Sequence, residues 1–144
     1  MTGGASLYQA VILDHNRAPR NFRPLSPDNH RAIAHNPLCG DTVEIGLALR
    51  DGVLSEISFQ GDSCAVATAS ASLLSETLRG QTISEARAIC DDYEAALRDG
   101  AEVPELPDAL RPLLQVRHYP GREQCATLAA RAVRAALQAA DAAS

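Results

Sequence analysis

Residues 42–60 read Thr42-Val43-Glu44-Ile45-Gly46-Leu47-Ala48-Leu49-Arg50-Asp51-Gly52-Val53-Leu54-Ser55-Glu56-Ile57-Ser58-Phe59-Gln60. Val43, Ile45, Leu47 and Leu49 alternate with Glu44, Gly46, Ala48 and Arg50, the period of a strand with one face toward a core. Asp51-Gly52 then supplies the residue pair of a two-residue hairpin turn. Val53, Ile57 and Phe59 alternate with Leu54, Glu56, Ser58 and Gln60, with Ser55 as a polar exception on the first face. The segment predicts an antiparallel hairpin. Two strands of similar length joined by a tight turn must bring their outer ends together. Cys39 to Asp41 and Gly61 to Cys64 are therefore expected at one end of the sheet.

Working outward, residues 31–35 give a third strand, so the sheet is expected to be small, antiparallel and about three strands wide. Pro19, Pro24 and Pro27 mark residues 18–29 as an extended loop. Ser6-x-x-Gln9 resembles a capping box opening a helix to about Asn16. Downstream, Cys64 to Arg79 is rich in Ala and Ser, predicting a helix whose first half can approach a neighbour closely. Thr82-x-x-Glu85 is a second capping box, opening a helix from Ile83 to about Arg98 with Gly100 as its stop. A short helix over 109–116 and a long Ala-rich helix over 123–140 complete the chain. Helix, sheet, then helices is an α+β order, the sheet packed on helices. No repeat or linker interrupts residues 1–144, so a single domain is expected, as a monomer by default.

Composition narrows the function. The chain has 144 residues and a formal net charge of -5 with no block of like charges, and aromatic residues make up 3%. Nucleic-acid binding through a basic surface or a stacking platform is therefore not expected. No apolar run approaches the ~18–20 residues of a membrane span, and the first ten residues show no export signal, so a cytoplasmic location is expected. All 13 basic residues are Arg, which removes lysine Schiff-base chemistry.

The four cysteines are Cys39, Cys64, Cys90 and Cys125. In a reducing compartment, metal binding or thiol chemistry is the better expectation than disulfides. Cys39 sits in Asn36-Pro37-Leu38-Cys39-Gly40-Asp41, just before the first hairpin strand. Cys64 and Cys125 fall at the starts of helices, where unpaired N–H groups stabilise a thiolate. Three thiolates and the Asp41 carboxylate would suit tetrahedral zinc or iron–sulfur chemistry. Spacing alone leaves the alternative open that these are small buried apolar residues.

The order of motifs adds to this reading. Leu7-Tyr8, the run Asp14-His15-Asn16-Arg17-Ala18-Pro19-Arg20-Asn21 and Asn36-Pro37-Leu38-Cys39-Gly40-Asp41 come first. Phe59-Gln60-Gly61-Asp62-Ser63-Cys64, with the Ala/Ser run to Ser72, and Gly121-Arg122-Glu123-Gln124-Cys125-Ala126-Thr127-Leu128 follow. Together they resemble the iron–sulfur cluster assembly scaffold superfamily that includes IscU and the NifU N-terminal domain, and most of all its SufU branch. Gln124 stands where IscU-type proteins carry a histidine. The long stretch from Cys64 to Cys125, and Arg122 before Cys125, are SufU-like features.

The resemblance implies zinc held by Cys39, Asp41, Cys64 and Cys125. It implies a pyridoxal-phosphate cysteine desulfurase (SufS-like) as partner, with other iron–sulfur assembly proteins beyond it. In the family picture a desulfurase histidine displaces one thiolate from zinc, and the released thiol, matching Cys39, accepts the persulfide sulfur. The protein would then be a zinc-dependent sulfur acceptor that stimulates its partner rather than a stand-alone enzyme. The alternative is a scaffold carrying a transient Fe–S cluster on the same ligands. A metal-dependent hydrolase fits less well, because a fourth protein ligand leaves no open position and no general base is apparent. A purely structural zinc site is the remaining reading. Arg122 is a candidate catalytic residue, through Asp41, a thiolate or the persulfide, with a plain surface ion pair as its alternative. His15 is expected to be structural and Cys90 to be core. His30, His35 and His118 form no metal-ligating pattern.

Overall fold

Asp51 and Gly52 both adopt left-handed φ, 56° and 79°, the conformation that a type I′ turn demands and that Asp-Gly tolerates. That turn joins β2 (Thr42–Arg50) to β3 (Val53–Gln60), and β1 (His30–His35) pairs antiparallel with the other edge of β2. The strand order is β1-β2-β3. The computed structural model describes residues 4–26, 29–37 and 40–142.

The hairpin register carries a bulge. Ala48 pairs with Glu56 and Leu49 with Leu54, so Ser55 is an extra residue on β3. This corrects the simple alternation: Leu54, not Val53, joins Ile57 and Phe59 on the core face, where all three are essentially solvent-free. The polar exception at Ser55 was the bulge itself, and its hydroxyl donates to the Ala48 carbonyl at 3.2 Å.

Among the described residues there are four α-helices, α1 (Gly4–Arg17), α2 (Ala65–Leu78), α3 (Ile83–Arg98) and α4 (Arg122–Ala142), of which α4 and α2 pack on the sheet. A 3-10 helix over Asp108–His118 replaces the short α-helix expected there, with Pro112 inside it. The missing N–H of Pro112 disfavours a regular α-helical ladder. The Thr82 box forms as expected: the Thr82 hydroxyl accepts from Glu85 N–H at 3.1 Å, and the Glu85 carboxylate accepts from Thr82 N–H at 2.9 Å. The Ser6 box does not. Helix α1 already runs from Gly4, so Ser6 lies inside it.

Helix α4 lies across β1 and β2 and also contacts α2, α3 and the 3-10 helix. Its Ala126, Ala129, Ala130, Ala132 and Ala136 are completely buried, which explains its composition: small side chains let one helix pack on several neighbours at once. The buried serines of α2 have partners. Ser70 donates to the Ala126 carbonyl at 2.6 Å and lies 3.0 Å from the Tyr93 hydroxyl, tying α2 to α4 and α3. Sheet and helices thus form the α+β architecture expected, with α4 at its centre. Among the described residues, no helix is long and apolar enough to cross a membrane.

Candidate metal and thiol centre

The outer ends of the hairpin do meet. Thr42 N–H donates to the Asp62 carbonyl at 3.0 Å, and a Cβ on Gly61 would lie 2.2 Å from the Thr42 carbonyl oxygen. Gly61 also has φ 145°, so both conformation and space call for glycine here. On the other side, the Asn36 carbonyl accepts from Gly40 N–H at 2.8 Å, and Asn36 N–H donates to the Asp41 carbonyl at 2.8 Å. These bonds close the turn that delivers Asp41 to the sheet end.

Cys64 is the N-cap of α2, and its sulfur accepts from Ala67 N–H at 3.4 Å. Asp41 Oδ1 accepts from Cys64 N–H at 3.1 Å, joining the strand-entry turn to the helix start. Cys125, buried in the first turns of α4, completes the group. One ligand atom each from Asp41, Cys64 and Cys125 lie within 4.8 Å of one another. Asp41 is 8% exposed, and its Oδ2 is buried with no hydrogen-bond partner among the described residues. A buried carboxylate oxygen without a partner costs free energy unless a cation or donor meets it. Two sulfurs and one orphaned carboxylate oxygen fit a thiophilic divalent metal well. Cys39, the fourth member expected of this group, lies outside the described residues.

Aromatic residues wall the centre on one side, which sequence reasoning did not foresee. Tyr8 of α1 stacks on Tyr119 with centroids 5.9 Å apart and planes at 16°. Burial raises the Tyr8 phenol above its ordinary range; Tyr119 and the nearby Cys64 and Cys125 push the same way, against Arg122. Tyr8, Tyr119, Arg122, Ala65 and Val66 line a pocket of about 290 Å³ beside the thiols. The Leu7-Tyr8 pair was legible as part of a resemblance, but nothing in its pattern pointed to the site. Arg122 faces this pocket and makes no ion pair with Asp41 or any other described residue. His15 is buried, with Nδ1 2.6 Å from the Ser72 hydroxyl, in a network that includes Arg20, Asn21 and Ser75. Cys90 is fully buried, and burial pushes its thiol up to about 12, so it is core rather than site.

The chain is similar to several known proteins. The sequence pattern of the NifU-like N-terminal domain matches residues 7–142. The iron–sulfur cluster assembly scaffold protein IscU of Streptococcus pyogenes serotype M1 is 32% identical over 136 residues, covering 92% of this chain and 83% of that protein. The zinc-dependent sulfurtransferase SufU of Bacillus subtilis is 30% identical over 130 residues, covering 89% of this chain and 87% of that one. A crystal structure of a nitrogen-fixing NifU-like protein (N-terminal) from Brucella abortus superposes with a TM-score of 0.84 at 27% identity, covering 95% and 96% of the two chains.

Proposed function

Since the chain belongs to the NifU-like N-terminal domain family, the iron–sulfur cluster assembly scaffold proteins of IscU and SufU type, we propose that it is a zinc-dependent sulfur-transfer protein. It accepts persulfide sulfur from a pyridoxal-phosphate cysteine desulfurase and stimulates that enzyme, for iron–sulfur cluster assembly. The observation that carries the reading is the Asp41–Cys64–Cys125 cluster with its orphaned Asp41 Oδ2. Gln124 at the position before Cys125, and the SufU relative named as zinc-dependent, favour the sulfur-transfer type.

In this account Asp41, Cys64 and Cys125 are three metal ligands and Cys39 is the fourth. Cys39 is two residues from Asp41, and two peptide units span at most ~7 Å, so it is within reach of the centre. Bound zinc would keep the thiols deprotonated near neutral pH. Cys64 caps α2 and Cys125 is buried in α4, so presenting either sulfur to a partner would disturb a helix. Cys39 precedes the strand instead, and it is the sulfur acceptor. Its thiolate attacks the outer sulfur of the desulfurase persulfide. A new S–S bond forms on Cys39 as the old one breaks, and the desulfurase cysteine leaves as a thiolate. Arg122, in the pocket beside the thiols, places a positive charge where the anionic persulfide arrives. The test is sulfur transfer from a persulfidated desulfurase to the Cys39→Ala protein, followed by mass. Loss of the added sulfur and of desulfurase stimulation is expected. Persulfide acceptance at the full rate would refute the assignment.

A second reading has support of its own: the Streptococcus relative is named as a cluster scaffold. On that reading the same thiols carry an Fe–S cluster as cargo.

A further inference from the structure

Away from the Tyr8 wall, α4 presents a different stripe. Gln124, Thr127 and Arg131 follow one another at i, i+3 and i+7, and with Arg98 from the end of α3 they line a pocket of about 490 Å³. Pro37 and Glu123 also line it. That volume is within the range of small-molecule sites.

The charges here do not balance. Glu94 is nearly buried and is paired with Arg134 and, at 3.8 Å, with Arg98. Arg134 also reaches Asp91 at 3.7 Å. Arg131 sits near the same Glu94 but has no hydrogen bond or ion pair with any described residue, and its Nε is buried without a partner. Three guanidinium groups thus gather around two carboxylates; Glu94 Oε1 is buried without a hydrogen-bond partner, and Arg131, the guanidinium with no hydrogen bond or ion pair to a described residue, lines the pocket. A buried guanidinium N–H without an acceptor is costly, and the planar fork of a guanidinium matches a carboxylate. The Gln124 amide adds a neutral polar group on the same stripe, while the buried Thr127 hydroxyl donates to the Gln124 carbonyl at 3.3 Å. Glu123 sets a negative charge at the opposite end, eight residues or ~12 Å of helix rise away. The pocket is therefore graded from positive to negative. That gradient disfavours polyanions and suits a molecule with a carboxylate at one end and an ammonium at the other.

We propose that the Arg98–Arg131 pocket binds a small zwitterion of about tripeptide length, its carboxylate on Arg131 and its amine toward Glu123. The pocket is independent of the sulfur-transfer reading, and its test does not use that activity. The ¹⁵N-labelled protein, kept metal-free with a chelator, is titrated with triglycine, with triglycinamide, which lacks the carboxylate, and with N-acetyl-triglycine, which lacks the amine. Expected are saturable shifts at the Gln124 and Thr127 amides with triglycine, with Kd on the order of 1 mM or tighter. Triglycinamide should bind at least about tenfold more weakly, as should triglycine to the Arg131→Met protein. N-acetyl-triglycine should lose less on Glu123→Gln than triglycine does. Arg131 has no hydrogen bond to a described residue to lose, so Arg131→Met should keep a dispersed spectrum; Arg131→Gln, which keeps a polar end without the charge, gives a second variant should it not. Absence of saturable shifts, equal binding of triglycinamide, or unchanged binding to a folded Arg131→Met protein would overturn the proposal.

Discussion

Asp41 does two jobs with two oxygens. Oδ1 accepts from the Cys64 backbone and fixes the start of α2, while Oδ2 is buried without a hydrogen-bond partner among the described residues. Asp41→Asn can keep the first role and weaken the second, because an amide carbonyl still accepts from Cys64 N–H. The variant should fold with a thermal midpoint close to wild type in its metal-free form. Its zinc affinity, by chelator competition, should fall by more than the ~10–100-fold that loss of an outer-shell partner costs. Unchanged affinity would remove Asp41 from the ligand set. His15 makes a different kind of prediction. Burial and then Arg20 hold its imidazole below the ordinary range, against Glu76 and Asp14. The unfolded chain binds a proton near pH ~6.5 that the folded chain resists, so stability is full above that value and is lost as pH falls toward the lower folded value. Urea unfolding at about pH 7.5 and about pH 5.5 should show this loss, and His15→Gln should show a shallower one. An equal pH slope in both proteins would mean that His15 is not the titrating group.

The elements deliver the site through backbone geometry. The sheet end closes because β3 leaves through Gly61, whose missing side chain makes room for the Thr42 carbonyl. Gly61→Ala would force apart the strand-entry turn carrying Asp41 and the helix start carrying Cys64. The expected outcome is a clear loss of bound zinc together with a lower melting temperature, measured on protein purified in parallel with wild type. Full zinc occupancy would show that the metal site tolerates a wider hairpin end. At this scale the sequence was informative in a specific way. Alternation on both sides of Asp51-Gly52 identified the hairpin, and from it the meeting of Asp41 with Cys64, because register and turn type are local properties. The bulge at Ser55 was not legible: a single polar residue on an apolar face is equally the mark of a half-exposed position. The Ser6 box misled because a side-chain pattern does not say where a helix begins when the preceding residues are also helical.

At the scale of the molecule, α4 decides what meets what. Its buried alanines allow it to lie on the sheet and against α2 and α3, and this placement brings Cys125 to Asp41 and Cys64 and Arg131 to Arg98. Neither juxtaposition could be read from spacing: Cys64 and Cys125 are 61 positions apart, and Arg98 and Arg131 come from different helices. The first was reached through resemblance; the second had no sequence signal. The central claim is that three cysteines and an aspartate hold zinc and release one thiol for sulfur transfer. The most direct measurement is zinc, iron and acid-labile sulfide in protein purified anaerobically without added metal. The account predicts about one zinc per chain and no sulfide. Iron with stoichiometric sulfide and visible charge-transfer absorption would contradict it and establish the cluster-scaffold reading.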